Sequence, residues 1–260
     1  MPDDLRQRLN RIITELEALR DSLPVVPERK LVLCLDAGHG GTHPETGQYM
    51  TPPQQGRYYV HFKDDGTKDF EIREGDINRK VAGYLQTYCE AAGIAVVPTY
   101  HPYLDSPLSE RIRIANQTDA DTRKQGKFSV FVSLHVDAQG KDNQTPFVDG
   151  KPQRSTANGF SVFTSRGLTR SDAIAEELYR QMERLHGNRI RYRRDRSDGD
   201  SDFEQNFAVL YYTTAPAILI ENLFFTHYQN AQLLLDPDYQ KSSARAIFET
   251  LLWWEQQVHK

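Results

Sequence analysis

The chain has 260 residues, of which 38% are hydrophobic, and a formal net charge of −4. This length can bury a substantial core in one large domain, and the slightly acidic balance supplies no overall basic field that would attract nucleic acid. Nucleic-acid binding is therefore not expected. No stretch approaches the ~20 apolar residues of a membrane helix, so membrane insertion is not expected either. The two cysteines, Cys34 and Cys89, fit neither a zinc knuckle nor a disulfide framework and are predicted to be buried.

The first segment predicts an amphipathic helix. Leucine and isoleucine recur from Leu5 to Leu23 at alternating spacings of four and three residues, which is the a/d pattern of a coiled coil. Pro24 and Pro27 follow and end the helix. We therefore predict an N-terminal helix and a proline-rich linker over residues 1–28. Two roles remain open: self-association through the apolar stripe, or docking of the helix on the rest of the chain.

From residue 29 onward, short apolar runs alternate with helical patterns. The predicted strands cover residues 31–36, 94–97, 129–135, 159–164 and 216–221. The predicted helices begin near residues 76, 106, 171 and 236. This alternation predicts an α/β fold with a mostly parallel sheet. We therefore expect a single three-layer α/β domain over residues 29–260, with helices on both sides of the sheet.

Three long segments interrupt this alternation, namely residues 42–73, 137–158 and 187–204. They lack hydrophobic periodicity, and loops of this length in a domain are usually functional or disordered. The third segment contains the basic run Arg189–Arg196. We interpret this run as a solvated face rather than as an anion site.

Three predicted strands end in side chains that bind metals or transfer protons. His39 follows the first strand closely, His135 ends another, and Glu221 ends a third. The carboxyl ends of parallel strands form the ligand crevice of such sheets, so these side chains are expected to converge. Hydrolytic zinc sites use three ligands from histidine and carboxylate, and a further carboxylate can accept a proton from water. The third ligand stays open among Asp36, Glu71, Glu74, His43 and His61.

Four sequence blocks occur in a fixed order along the chain. They are residues 35–41 (LDAGHGG), 74–78 (EGDIN), 133–138 (SLHVDA) and 216–224 (PAILIENLF). Together they resemble the motifs of the zinc-dependent N-acetylmuramoyl-L-alanine amidases of the amidase_3 family. With weaker agreement between the blocks, the resemblance covers about residues 30–256.

The resemblance implies a zinc ion held by His39, Glu74 and His135, with Glu221 as the catalytic residue. It also implies the substrate, peptidoglycan, and the bond, the amide between the lactyl group of N-acetylmuramic acid and L-alanine of the stem peptide. In such a reaction, zinc would polarise water and the scissile carbonyl, and Glu221 would carry a proton from the water to the leaving amine. Residues 29–260 would then form the zinc amidase catalytic domain.

The chain also departs from the family pattern. Asp137 stands where the family usually has asparagine, and His227 replaces an asparagine that commonly closes the last block. We expect a surface role for His227, rather than a role in tuning the pKa of Glu221 or in contacting substrate. The segment 42–73 is longer than expected between the first two ligands and is predicted to form a wall of the substrate groove. Its aromatic residues are candidates for stacking on sugar or peptide: Tyr49, Tyr58, Tyr59 and Phe62.

Two other functions share part of this pattern. A catalytically inactive peptidoglycan-binding module would keep the fold, but retention of all four expected site residues argues against it. A zinc carboxypeptidase acting on stem peptides would share the metal chemistry and cleave an ordinary peptide bond.

The start of the chain predicts how the protein is routed. It has acidic residues where a secretory signal peptide has a basic region, and it lacks an apolar core region. We therefore expect synthesis in the cytoplasm without standard export. Action on the cell wall would require another route, such as holin-mediated release of a phage endolysin or delivery by an injection machine.

Overall fold

Helices pack on both faces of a central sheet. The computed structural model describes residues 3–22, 29–140 and 143–258. The helices are α1 (Asp3–Ser22), α2 (Glu74–Ala91), α3 (Leu108–Lys124), α4 (Arg170–His186), α5 (Ala208–Tyr211), α6 (Tyr228–Leu235) and α7 (Pro237–Val258). The strands are β1 (Leu31–Ala37), β2 (Tyr58–Phe62), β3 (Lys68–Arg73), β4 (Ala95–Pro98), β5 (Phe128–Asp137), β6 (Phe147–Val148), β7 (Lys151–Pro152), β8 (Ser161–Thr164), β9 (Phe203–Glu204) and β10 (Ala217–Phe224). Short 3₁₀ helices cover Pro53–Gln55 and Gly187–Arg189.

The six-stranded sheet has the order β4-β1-β5-β10-β8-β9. Strands β4, β1, β5 and β10 run parallel to one another, β8 is antiparallel to β10, and β9 is parallel to β8. Right-handed crossovers through helices are the usual way to connect parallel strands, and they place the helices on the sheet faces. The predicted three-layer α/β domain with a mostly parallel sheet is therefore confirmed.

Alternate side chains of β1 enter two separate apolar clusters. Leu31, Leu33 and Leu35 belong to the larger cluster, which also receives side chains of α2, α4 and α7. Cys34 faces the smaller cluster under α3 and α5. Because both faces of the strand are buried, the sequence shows a continuous apolar run instead of an alternation. Cys34 and Cys89 are both fully buried, as predicted.

The segment 42–73 is more ordered than its sequence predicts, since it contains the antiparallel hairpin β2–β3. Tyr59 and Ile72 point into the core, with 3% and 1% of their surface exposed. On either side of Ile72, the partly exposed Glu71 and Arg73 form an ion pair on the opposite face of the strand. The strands are short and rich in charge, so their alternation is too weak to recognise in the sequence alone.

The other two long segments also contain strands. The segment 137–158 includes the paired strands β6 and β7, and the segment 187–204 ends in β9, which extends the main sheet. Helix α6 was not predicted either. Only residues 225–227 separate it from β10, and they contain no glycine or proline that would mark a turn in the sequence.

The basic run Arg189–Arg196 is not simply a solvated face. Arg193 donates to the carboxylate of Asp137 at 2.8 Å, and Arg194 donates to Glu183 at 2.7 Å. The prediction is therefore wrong for these two side chains, because tertiary packing supplies acidic partners that lie far away in the sequence.

Helix α1 forms as predicted, and the described side chains of its apolar stripe are exposed. Leu5, Leu9, Ile12 and Leu16 have between 50% and 60% of their surface exposed. The described part of α1 is thus not docked on the chain's own surface, and self-association stays a prediction. The predicted linker, residues 23–28, lies outside the described residues, so the boundary at residue 28 also stays a prediction. Among the described helices, none has the length and apolarity needed to cross a bilayer.

Candidate metal centre and active site

The sheet register brings the predicted site residues to one edge. Glu221 of β10 lies directly beside His135 of β5, and Leu134 lies beside Ala37 at the end of β1. The chain then continues for two residues from Ala37 to His39. The convergence expected from three separate strand ends is therefore present.

Three candidate ligands face one another across this edge. Oε1 of Glu74 lies 3.4 Å from Nε2 of His39 and 3.0 Å from Nδ1 of His135. The two imidazole rings are nearly perpendicular, with an angle of 88° and centroids 5.1 Å apart. One ligand atom from each residue lies within 4.8 Å of the others. Glu74 is the first residue of α2, so the helix start carries this carboxylate to the ends of the strands.

The other candidates for the third ligand have different partners. Asp36 is 1% exposed and is ion-paired with the equally buried Arg111 at 2.5 Å. Its second carboxylate oxygen accepts a hydrogen bond from Ser133 at 2.7 Å. This carboxylate is therefore a structural anchor beneath the site.

Glu71, His43 and His61 also lie outside the cluster. Glu71 forms ion pairs with Lys68 and Arg73 on the hairpin. His61 is buried against a backbone carbonyl, and His43 accepts backbone N–H groups from the turn that follows it. Of the five carboxylate and histidine candidates, the structure places only Glu74 beside His39 and His135.

Burial and neighbouring charges keep His39 and Glu74 in protonation states that can bind a metal ion. Burial lowers the pKa of His39 to about 4, so its imidazole is neutral at pH 7. Burial alone would raise the pKa of Glu74, but His39, His135 and Arg57 outweigh this effect and lower it, so this carboxylate is ionised. Neutral imidazole and ionised carboxylate are the forms that bind zinc.

Glu221 lies next to these ligands. Its Oε2 atom is buried and makes no hydrogen bond with the described part of the chain. Burial, together with the negative charges of Glu74 and Asp137, raises the pKa of Glu221 well above its usual value. A buried carboxylate oxygen without a donor is costly unless a ligand or a cation faces it. The raised pKa suits a carboxyl group that accepts a proton and later donates it to a bound molecule.

The donor set fits a zinc ion. Zinc bound at about 2.0–2.2 Å in a tetrahedral arrangement separates its ligand atoms by roughly 3.3–3.6 Å. The separations of 3.4 Å and 3.0 Å around Oε1 of Glu74 are close to that range. Two histidines and one glutamate are also the protein ligands of known hydrolytic zinc sites, which leave one position for water or substrate.

A strained backbone at His39 is held by side chains from two helices. His39 has a φ of 61°, in the left-handed region that non-glycine residues rarely adopt. Arg79 of α2 donates to the carbonyl oxygen of His39 at 2.8 Å, and Arg111 of α3 approaches it at 3.5 Å. Neither arginine was predicted to support the site, because each lies 40 or more residues from His39 in the sequence.

The sequence profile of the Amidase_3 family, described as N-acetylmuramoyl-L-alanine amidase, matches residues 33–252. The chain belongs to the Amidase_3 family. No curated protein matches it in a sequence search.

Solved amidase structures share the fold. The N-acetylmuramoyl-L-alanine amidase of Clostridium difficile 630 is similar with a TM-score of 0.62 and 23% identity, over 88% of this chain and 97% of that chain. AmiC2 of Nostoc punctiforme has a TM-score of 0.59 and 22% identity, over 88% and 99%. Ami1 of Mycobacterium smegmatis has a TM-score of 0.60 and 18% identity, over 88% and 98%.

A groove of about 870 Å³ opens above the candidate centre of this Amidase_3 chain. His39, His135 and Glu221 lie in it. One wall comes from the segment 42–73, as predicted. That wall consists of Met50, Pro52, Gln55 and Arg57.

The aromatic residues proposed for stacking do not form this wall. Tyr59 is buried in the core, and the hydroxyl of Tyr49 bonds to backbone groups. Phe62 packs edge-on against Phe147, with ring centroids 5.1 Å apart. In the described part of the chain, neither these residues nor Tyr58 line the groove. The stacking prediction is therefore wrong.

Arg57 is a groove residue that the sequence did not reveal. Its Nη1 lies 3.5 Å from Oε2 of Glu74, the oxygen that faces away from the histidines. Its Nε is buried without a hydrogen-bond partner among the residues that the structure describes. An arginine in an aperiodic segment carries no signal of its position, so only the folded hairpin reveals its proximity to Glu74.

The two departures from the Amidase_3 pattern have local explanations. The extra charge of Asp137 is matched by Arg193, which donates to it at 2.8 Å. Nδ1 of His227 accepts the backbone N–H of Asn230, so the histidine is the N-cap of α6. His227 thus has a structural contact that agrees with the expectation that it does not act on Glu221.

Gly75 and Gly83 on α2 provide a matched test of how tightly the ligand loops pack. A Cβ at Gly75 would lie 1.8 Å from the backbone oxygen of Gly40, whereas a Cβ at Gly83 would meet nothing within 4 Å. Gly75→Ala should lower the free energy of unfolding by about 1–3 kcal/mol through overpacking. Gly83→Ala should raise it by about 0.5–1 kcal/mol, because alanine is the better helix former. Urea unfolding measures both, and equal effects would contradict the packing argument.

Proposed function

We propose that this chain is a zinc-dependent N-acetylmuramoyl-L-alanine amidase that cleaves peptidoglycan. The observation that carries the proposal is the convergence of His39, Glu74 and His135 beside the unpartnered carboxylate of Glu221. Membership of the Amidase_3 family supports the bond and the substrate class. The scissile bond would be the amide between N-acetylmuramic acid and L-alanine of the stem peptide.

In this proposal, His39, Glu74 and His135 hold the zinc ion and Glu221 moves the proton. When bound, zinc supplies Lewis-acid polarisation of the scissile carbonyl and lowers the pKa of water to about 7. Oε2 of Glu221 accepts a proton from the water as its oxygen attacks the carbonyl carbon. The same carboxyl group then donates that proton to the leaving nitrogen as the C–N bond breaks. The free carboxyl group stays on the muramic acid, and the stem peptide leaves with an amino terminus.

The geometry supports these roles. The groove is open enough for a glycan-linked peptide, and the β5–β10 register holds His135 and Glu221 side by side. Arg79 and Arg111 hold the backbone at His39, so the ligand does not have to reorganise when it binds the ion. The donors are therefore positioned before the reaction begins.

Mass spectrometry of digested cell wall tests the proposal. Purified protein with zinc should release intact stem peptides with free L-alanine amino termini from sacculi, and a chelator should abolish the release. Release of D-alanine instead would indicate a carboxypeptidase. Binding to sacculi without any released peptide would indicate an inactive binding module.

Two further parts of the proposal concern the protein's setting. We propose that it acts on the cell wall after release or delivery by a route other than standard export. We also propose that the exposed stripe of α1 mediates self-association, which the heptad spacing supports.

A further inference from the structure

A second cluster of acidic side chains lies far from the ligand residues in sequence. Within the segment 195–204, aspartate occupies every second position from Asp198 through Asp200 to Asp202. Asp202 is 1% exposed, and Asp198 is exposed. A buried carboxylate normally has a cationic partner or a full set of hydrogen-bond donors.

Only one of the two carboxylate oxygens of Asp202 accepts a hydrogen bond from the described residues. Its Oδ2 accepts a hydrogen bond from the hydroxyl of Thr164 at 2.5 Å, at the end of β8. Its Oδ1 is buried and meets no donor among the described residues, and the same is true of Oδ1 of Asp200. The two carboxyl groups face each other within hydrogen-bonding range. A half-buried and a fully buried carboxyl group therefore lie against each other, each with one oxygen that has no donor.

The neighbouring charged side chains do not stabilise the ionised form of this pair. Burial, followed by the negative charges of Asp200 and Asp172, raises the pKa of Asp202 to about 7. The nearby Arg193 and Arg194 are ion-paired with acidic groups elsewhere. Either a shared proton or a bound cation would satisfy the pair, and carboxylates spaced by two residues in a loop are the oxygen ligands that Ca²⁺ prefers.

We propose that Asp200 and Asp202 bind a Ca²⁺ ion. Ca²⁺ takes about 6–8 oxygen ligands, so water and further loop oxygens, including the carboxylate of Asp198, would complete the site. Mg²⁺ demands a tighter octahedral arrangement and gives up its water reluctantly, so it fits a flexible loop less well.

The position of the ion suggests its role. Asp202 is bonded to Thr164 at the end of β8, so an ion there ties the segment 195–204 to the edge of the sheet. Strand β9 follows at once, and Phe207, three residues after it, lines the groove above the candidate zinc centre. Calcium would therefore stabilise the segment that leads into a wall of the groove.

Thermal unfolding with and without calcium tests the inference. The zinc-loaded full chain, dialysed into calcium-free buffer, should gain about 5–10 °C in Tm when free Ca²⁺ is 100-fold above its Kd. Isothermal titration with CaCl₂ should show binding to the same protein. An equal rise in Tm with MgCl₂ would contradict the assignment of calcium.

Two aspartate variants test whether the calcium-dependent rise in Tm comes from the Asp200–Asp202 pair. Asp200→Asn should lose the calcium-dependent rise in Tm, and without calcium it should be at least as stable as the parent because one charge of the pair is gone. Asp195→Asn lies on the same segment and keeps an acceptor for the N–H of Ser197, so it should retain the rise. Absence of calcium binding by the parent chain, or an unchanged rise in Asp200→Asn, would overturn the proposal in favour of a shared proton.

Discussion

Glu221→Gln should lower kcat for amide hydrolysis by about 10²–10⁴-fold while zinc content stays at the wild-type level. Glutamine keeps the shape of the side chain but cannot accept a proton from water. Glu221 is not among the three residues whose ligand atoms cluster, so the metal should remain bound. Single-turnover assays on a muramyl peptide and zinc analysis by mass spectrometry measure the two quantities.

Two variants complete this experiment. His39→Ala removes a proposed ligand, so both zinc and activity should be lost. Glu71→Gln changes a carboxylate of the same type on the surface of the hairpin, and it should leave both unchanged. Stoichiometric zinc in the His39→Ala protein would refute the ligand assignment, and full turnover in Glu221→Gln would refute the proposed base.

Arg111→Met should lower the free energy of unfolding by about 3–5 kcal/mol, because it leaves a buried charge without a partner. Arg111 and Asp36 are 2% and 1% exposed, and the guanidinium also donates to the carbonyl oxygen of Ala37 at 2.8 Å. Methionine fills part of the volume, so the loss reports mainly on the charge. Urea unfolding measures the effect.

Two controls accompany this prediction: an exposed ion pair on α3, and a double variant that removes both charges of the Arg111–Asp36 pair. Lys124→Met on α3 breaks an exposed ion pair with Asp121 and should change stability by no more than about 0.5 kcal/mol. Asp36→Asn combined with Arg111→Met removes both charges, and it should recover part of the loss. A loss below about 1 kcal/mol for Arg111→Met would show that the buried pair is not a major source of stability.

The same substitution should also affect the metal centre. Arg111 approaches the carbonyl of His39, whose left-handed backbone depends on such contacts. We therefore expect weaker zinc binding in Arg111→Met than in Lys124→Met, measured by competition with a chromophoric chelator. Groups that orient a ligand typically change metal affinity by about 10–100-fold.

Much of the fold was predictable because it depends on local pattern. Strands β1, β5 and β10 are continuous apolar runs, and that composition follows directly from burial on both sheet faces. The hairpin β2–β3 was missed because its strands are short, charged and half exposed. Helix α6 was missed because the three residues between it and β10 contain no glycine or proline that would mark a turn.

The sequence by itself determined which residues stand at the strand ends. His39, His135 and Glu221 are attached to buried strands, and parallel strands must bring their carboxyl ends to one edge. Their convergence needed no knowledge of distant contacts.

Only the tertiary structure decided which groups surround them. Glu71 and Glu74 are three residues apart and chemically alike, yet one pairs with Arg73 on the surface while the other faces both histidines. The partners of a carboxylate are set by contacts between segments far apart in the chain. Local sequence carries no record of those contacts, which is why the contact between Asp200 and the buried Asp202 also emerged only from the fold.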